Sequence, residues 1–176
     1  MGNMIGNKTK IVLSGAAGSG KSTVGKLLSR TLNWPFLSMG DFSRRFAKEN
    51  YQLDINAFQD LCKTDPGIDQ LLEDSFIHEC NAAPCAVIDY RLGFHFVPDA
   101  LHVFLAVSDK EAIRRVQAAG RVNEDALLIP ERNRKMRERF IEYYELDFME
   151  MSNYHLVIAT DGKPPEEICR LIQLEL

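Results

Sequence analysis

Short apolar runs recur along the chain, and the stretches between them are amphipathic. Lys10-Ile11-Val12-Leu13-Ser14 is the first run; Cys85 to Asp89, Leu101 to Val107 and His155 to Ala159 follow, with a weaker one at Phe36-Leu37-Ser38. Strands that are apolar at nearly every position, rather than at alternate ones, suit a parallel sheet covered by helices on both faces. Between them the period lengthens to that of a helix. Val24, Leu27, Leu28 and Leu32 form one stripe, ended by Pro35, and Ile68, Leu71, Leu72 and Phe76 form another. Ser108-Asp109-Lys110-Glu111 reads as a capping box that opens a helix to about Ala119, with Gly120 placed to stop it. Pro130 opens the next helix, with Met136, Phe140, Tyr143 and Tyr144 as its apolar positions, and Pro165-Glu166-Glu167 opens the last. Strands alternating with helices predict an α/β fold. No internal repeat or low-complexity linker interrupts the pattern.

Composition narrows the class. The chain has 176 residues, 45% hydrophobic and 26% charged. That is material for one globular core with smaller inserted flaps, since domains run to about 100–200 residues. A net charge of −4 argues against a surface that holds long nucleic acid. An anion bound here should meet a local cluster of arginines instead. No stretch approaches the roughly 18 consecutive apolar residues that span a bilayer. Met1 to Asn7 lacks a basic region followed by an apolar run, so no secretory signal is expected. Cys62, Cys80, Cys85 and Cys169 form no C-x-x-C pair and no histidines complete a zinc site, which points to free thiols in a reducing cytoplasm. The expectation is a cytoplasmic monomer without membrane or nucleic-acid polymer partners.

The sharpest chemical signal is the loop Gly15-Ala16-Ala17-Gly18-Ser19-Gly20-Lys21-Ser22, followed by Thr23. It satisfies G-x-x-x-x-G-K-[ST], with a strand before it and an amphipathic helix after it. Glycines let the backbone wrap tightly, so that successive N–H groups point at a phosphate, and the helix N-terminus adds its positive end. Lys21 can reach the β- and γ-phosphates, and the Ser22 hydroxyl can ligate magnesium. The expectation is an ATP- and Mg2+-dependent phosphotransferase.

Beyond the loop, the chain resembles the nucleoside monophosphate kinases, and more narrowly the small archaeal-type cytidylate kinases. The marks are Gly15–Ser22; Ser38-Met39-Gly40-Asp41 with Arg44; Asp65-Pro66-Gly67-Ile68-Asp69; Asp89-Tyr90-Arg91; Arg132 with Arg139; and Tyr143-Tyr144-Glu145-Leu146-Asp147. The resemblance implies a three-layer α/β/α P-loop kinase fold with a five-stranded parallel sheet of order 2-3-1-4-5. The core would span 8–37, 85–116 and 140–176, with an acceptor-binding insertion at 38–84 and a lid at 117–139. It implies that Gly40, Asp41, Arg44 and Arg91 face the acceptor monophosphate, and that Arg132 and Arg139 are lid arginines. Lys21, Arg91, Arg132 and Arg139 would then be catalytic, and Asp89 would join Ser22 near the magnesium. The implied reaction is ATP plus CMP or dCMP giving ADP plus CDP or dCDP.

Some positions depart from the family's pattern. Tyr90 stands where the family carries glycine, and a side chain there is expected to crowd the acceptor site or change its choice of base. Glu73, Asp74 and Ser75 stand where an arginine is expected after Asp69, and Ala112 and Ala119 replace arginines near the lid, leaving Arg115 and Arg121. The bland readings stay beside these. Asp41 also fits as the N-cap of a helix over Phe42–Glu49, the helical arginines as solvated ion-pair partners, and Phe42, Phe46 and Tyr51 as core. A kinase of another small acceptor remains open: a nucleoside, with Asp41 as base, or a shikimate-like acid, although Asp89-Tyr90-Arg91-Leu92-Gly93 lacks the glycine triplet of shikimate kinases. So does a nucleotide-binding protein that has lost transfer.

Overall fold

A computed structural model of the chain describes residues 8–120 and 126–176. Its centre is a five-stranded sheet in the order β2-β3-β1-β4-β5. The strands are β1 (Lys10–Ser14), β2 (Phe36–Ser38), β3 (Ala86–Asp89), β4 (Leu101–Ala106) and β5 (Leu156–Ala159), and every pairing is parallel. The weak run at Phe36 is a true strand; three of the other four runs are trimmed at an end by one residue. Alternate residues of each strand serve opposite faces, as the pleat requires. Ile11 and Leu13 of β1, Val87 of β3, and Val103 and Leu105 of β4 pack with Val24, Leu28, Ile168 and Ile172. Those partners lie on α1 (Lys21–Leu32) and α8 (Pro165–Gln173), which cover that face together.

Val12, Ile88 and Phe104 point to the other face, into a cluster with Phe42, Phe58, Phe76, Tyr90 and Phe148. This layer is built from α2 (Met39–Phe46), α3 (Ile55–Thr64), α4 (Pro66–Ala82) and the short α5 (Gly93–Phe96). Phe42, Phe46 and Tyr51 belong to this aromatic core, with ring centroids 5.2–6.1 Å from their neighbours Phe76 and Phe58 and from one another. The remaining helices are α6 (Asp109–Ala118) and α7 (Ile129–Tyr144). Among the described residues no helix is long and apolar enough to cross a membrane.

Two helix starts differ from the sequence reading. α2 begins at Met39, and its cap is Ser38, whose hydroxyl accepts the Asp41 N–H at 3.5 Å; Asp41 therefore sits in the first turn, not at the cap. α6 has only half of its capping box. Ser108 Oγ accepts the Glu111 N–H at 3.3 Å, but the Ser108 N–H goes to Asp161 Oδ1 at 3.0 Å, because Glu111 is held by two arginines.

Phe76 joins α4 to the sheet and is fully buried. Phe76→Ala should cost about 3–5 kcal/mol by cavity formation, measurable as a lower urea midpoint at unchanged slope.

Candidate active site

Because the sheet is all parallel, the C-terminal ends of its strands lie along one edge, where α/β folds bind ligands. The register pairs Leu13 with Asp89, so the loop leaving β1 and the residues after β3 emerge side by side. The loop after β1 turns sharply: Gly15 has φ 139° and Gly18 φ 81°, and a Cβ on Gly15 would stand 2.5 Å from the Leu105 carbonyl oxygen. Lys21 opens α1 and folds back over the loop, donating to the Gly15 and Ala16 carbonyls at 2.8 Å each and to Ser19 Oγ at 3.4 Å. Ser19 is buried beneath it, while Ser22 and Thr23 stand exposed at the helix start. The loop is thus a strand-to-helix cradle at a helix N-terminus, the geometry that receives phosphate.

Ser22 Oγ donates to Asp89 Oδ2 at 2.9 Å. These two residues are 67 positions apart, and only the β1–β3 pairing joins them. A hydroxyl and a carboxylate in contact suit Mg2+, which takes one or two protein oxygens and fills its shell with water and phosphate. Among the described residues no group of three His, Cys, Asp or Glu gathers into a metal cage.

Arg91 follows two residues later. Its backbone carbonyl accepts the Ser14 hydroxyl at 2.9 Å, which ties the turn after β3 to the end of β1. Among the described residues its buried Nε has no hydrogen-bond partner. Burial lowers the pKa of the guanidinium; the Asp89 carboxylate opposes that shift and the Arg132 charge adds to it.

The other predicted residues divide into two groups. Arg44 pairs with Asp41 at 2.5 Å on one turn of α2, next to Gly40, with both side chains more than half exposed. Arg139 leaves the phosphate loop aside and pairs with Asp69 of α4 at 2.5 Å. The Tyr143-Tyr144-Glu145-Leu146-Asp147 stretch is a clamp. Asp147 receives a two-pronged bond from Arg137, at 2.9 and 2.6 Å, which is the leading reason that its carboxyl is held below the usual range. Tyr144 donates to Glu73 Oε2, and Tyr90 to Glu73 Oε1 at 2.5 Å. Tyr90 packs into the aromatic core: it is 4% exposed, edge-on to Phe76 at 5.4 Å, and burial is the main cause that drives its hydroxyl's pKa upward. Glu73, where an arginine was expected, is the acceptor that this tyrosine pair requires.

Arg115 and Asn133 are the contributors that the sequence reading placed differently or missed. Arg115 points back to the phosphate loop. It donates through Nη1 to the Gly18 and Ser19 carbonyls, at 3.4 and 3.3 Å, and to Thr160 Oγ1 at 3.0 Å, while Nη2 reaches the Thr160 carbonyl at 2.7 Å. It braces the phosphate loop from behind. Glu111 orients it at 2.8 Å, and its bonds to Arg114 and Arg115 bring the Glu111 carboxyl down to about 2. Asn133 of α7 accepts the Ala17 N–H at 2.9 Å. No spacing rule singles out either residue, since each acts on a backbone distant in sequence. Arg121 lies outside the described residues.

Ala112 is buried against the loop: a Cβ on Gly18 would stand 2.8 Å from both its Cα and its Cβ. An arginine here would push the loop instead of reaching ATP. Ala112→Arg should lower stability by about 1–3 kcal/mol by overpacking, read by chemical denaturation, and should weaken binding of an ATP analogue in titration.

Comparison with known proteins agrees with this arrangement. The profile of the cytidylate kinase-like family matches residues 10–162. A protein of Sulfolobus acidocaldarius named cytidylate kinase is 32% identical over 168 residues, 93% of this chain and 91% of that protein. A protein of Lacinutrix mariniflava named S-adenosylmethionine-dependent nucleotide dehydratase is 49% identical over 167 residues, covering 94% of this chain but 35% of that protein. This chain therefore corresponds to about a third of the longer relative. Among solved structures, shikimate kinase from Bacteroides thetaiotaomicron superposes with a TM-score of 0.63 at 19% identity, over 96% of this chain and 99% of that one. Shikimate kinase from Aquifex aeolicus does so with a TM-score of 0.59 at 23% identity, over 94% and 95%. At such identities these structures speak for the P-loop kinase fold alone. The sheet order, the phosphate loop with its Ser22–Asp89 contact, and the family match over most of the chain together make it a member of the cytidylate kinase-like family.

Proposed function

We propose that the protein transfers the γ-phosphoryl group of ATP to a nucleoside monophosphate, with CMP or dCMP as the preferred acceptor. The observation that carries this reading is Arg91: a half-buried arginine on the turn after Asp89, tied to the end of β1, whose buried Nε has no hydrogen-bond partner among the described residues. Burying a polar group without a partner costs free energy, so such a group is best understood as waiting for an anion. A phosphate held by Arg91 would satisfy the Nε. The specific choice of CMP rests on the likeness to proteins named cytidylate kinase.

In this reading residues 15–23 cradle the donor phosphates, with Lys21 exchanging its loop carbonyls for phosphate oxygens. Residues 38–84 form the acceptor insertion and 117–139 the lid. Gly40, Asp41 and Arg44 line the acceptor side. Arg44 and Arg139 are held by exposed ion pairs, worth about 0–1 kcal/mol each, and Arg139 also lies over the Tyr143 ring at 5.8 Å. Charge-assisted bonds to phosphate are stronger, so both can turn to the substrate at little cost. Ser22 and Asp89 would hold Mg2+, which when bound neutralises charge on the donor phosphates. The acceptor phosphate oxygen is already ionised at neutral pH, so no general base is needed. That oxygen forms the new bond to the γ-phosphorus as the bond to the β,γ-bridging oxygen breaks, and ADP leaves with that electron pair. Lys21, Arg91 and Arg132 stabilise the charge that shifts between them.

The test is ADP formation from ATP and Mg2+ with CMP, dCMP, UMP, AMP, GMP, dTMP and shikimate offered separately. CMP or dCMP should turn over fastest, and Lys21→Ala should lose at least about a thousandfold in kcat while its thermal midpoint stays within a few degrees. Turnover of Lys21→Ala equal to that of the original protein would sink the assignment.

The 49% identity to a third of a nucleotide dehydratase favours a further reading, in which the kinase supplies phosphorylated nucleotide to a dehydration step. If so, the product that this chain forms from ATP and a nucleoside monophosphate should be a substrate of a nucleotide dehydratase. A dehydratase that converts the unphosphorylated monophosphate equally well without this chain would refute the link.

A further inference from the structure

The first turn of α7 is docked on the phosphate loop by two contacts. Ile129 is buried with Ala112 and Val116 in a small apolar cluster against which Ala17 packs. One turn on, the half-buried Asn133 accepts the Ala17 N–H through Oδ1 at 2.9 Å, a bond between residues 116 positions apart. Its neighbour on the helix is Arg132, whose charge reaches Arg91. Ala17 itself is the second residue of a tight turn, closed by the Ser19 N–H on the Ala16 carbonyl at 3.3 Å, with Gly18 at φ 81° in the third place. The apolar cluster holds α7 near the loop but is non-directional. The hydrogen bond is directional, so it decides the height and rotation of the helix against the loop.

We propose that Asn133 is a positioning residue for phosphoryl transfer, locking α7 to the Ala17 N–H so that the first turn of the helix, which carries Arg132, keeps its place against the phosphate loop. Asn133 itself touches neither phosphate. With its bond in place the loop offers phosphate the N–H groups beyond Ala17, and the lid helix starts each cycle already registered on the donor site. This rests on the kinase reading above for its consequence in turnover, but the bond and the docking can be tested without it.

A second variant separates the bond from the bulk of the side chain: Asn133→Leu keeps the volume and removes the acceptor. Asn133→Ala and Asn133→Leu should each lower kcat about tenfold, the size of one ordinary hydrogen bond, with KM for ATP moving less than about threefold. An unchanged kcat in Asn133→Leu, or a rise in KM alone, would overturn the proposal; the latter would mean that the Ala17 N–H binds ATP directly. If the unaltered chain phosphorylates no acceptor, the kinase reading fails, and amide hydrogen exchange of the 15N-labelled protein decides the proposal separately. Asn133→Ala should then speed exchange at Ala17 and at Asn133 to Met136 while leaving the sheet protected; unchanged rates at those amides would refute it.

Discussion

The register of β1 against β3 is the constraint on which the site depends. Leu13 beside Asp89 places the end of one strand at the start of the phosphate loop and the end of the other at a carboxylate that meets Ser22. A slip of one residue would turn every side chain of β3 to the opposite face, taking Asp89 away from Ser22 and Ile88 out of the aromatic core. The burial of Val12 and Ile88 on one face and of Ile11, Leu13 and Val87 on the other is what forbids that slip. Apolar packing on both faces of the sheet therefore fixes the geometry of a polar site at its edge.

Charge is arranged on the same economy. The chain is acidic overall, and its cations at the site are local and held in different ways. Arg115 is spent on backbone carbonyls and Thr160, a structural use that keeps the loop from collapsing. Arg44 and Arg139 sit in exposed pairs that water and phosphate can compete for. Arg91 is the costly one, half-buried with a buried Nε that no described residue satisfies. The order from braced to exchangeable to unsatisfied matches a site whose rigid floor is built before its ligand arrives and whose walls adjust afterwards.

The helical layer that contains α4 shows how a departure in sequence is absorbed. Tyr90 and Glu73 each look like a loss when met singly: a bulky residue in place of glycine, and an acid in place of arginine. In the fold they are one feature, with Glu73 accepting both Tyr90 and Tyr144 and so joining α4, the turn after β3 and the end of α7. Such pairings of distant residues are invisible to periodicity, which reports only a residue's own face.

Much was legible from the chain alone, because the signals were local. Near-continuous apolar runs mean strands buried on both sides, and a glycine-rich turn with lysine and serine before an amphipathic helix can only be a phosphate loop on a strand-helix junction. The sheet order came through the family resemblance, since strand order is a matter of long-range pairing that no local pattern encodes. The misplaced details share one cause. Asp41 fits a cap by its place before Phe42, and Arg115 and Tyr90 are read against the family's pattern, whereas their contacts are set by Ser38, by the carbonyls of Gly18 and Ser19, and by Glu73. By itself the sequence determined where strands, helices and the phosphate loop form, since backbone propensity and hydrophobic period act over a few residues. Only the tertiary structure decided which charges meet. Hydrogen bonds and ion pairs reach only a few ångströms, and the strand pairing brings Ser22 to Asp89 across 67 positions while the docking of α7 brings Asn133 to Ala17 across 116.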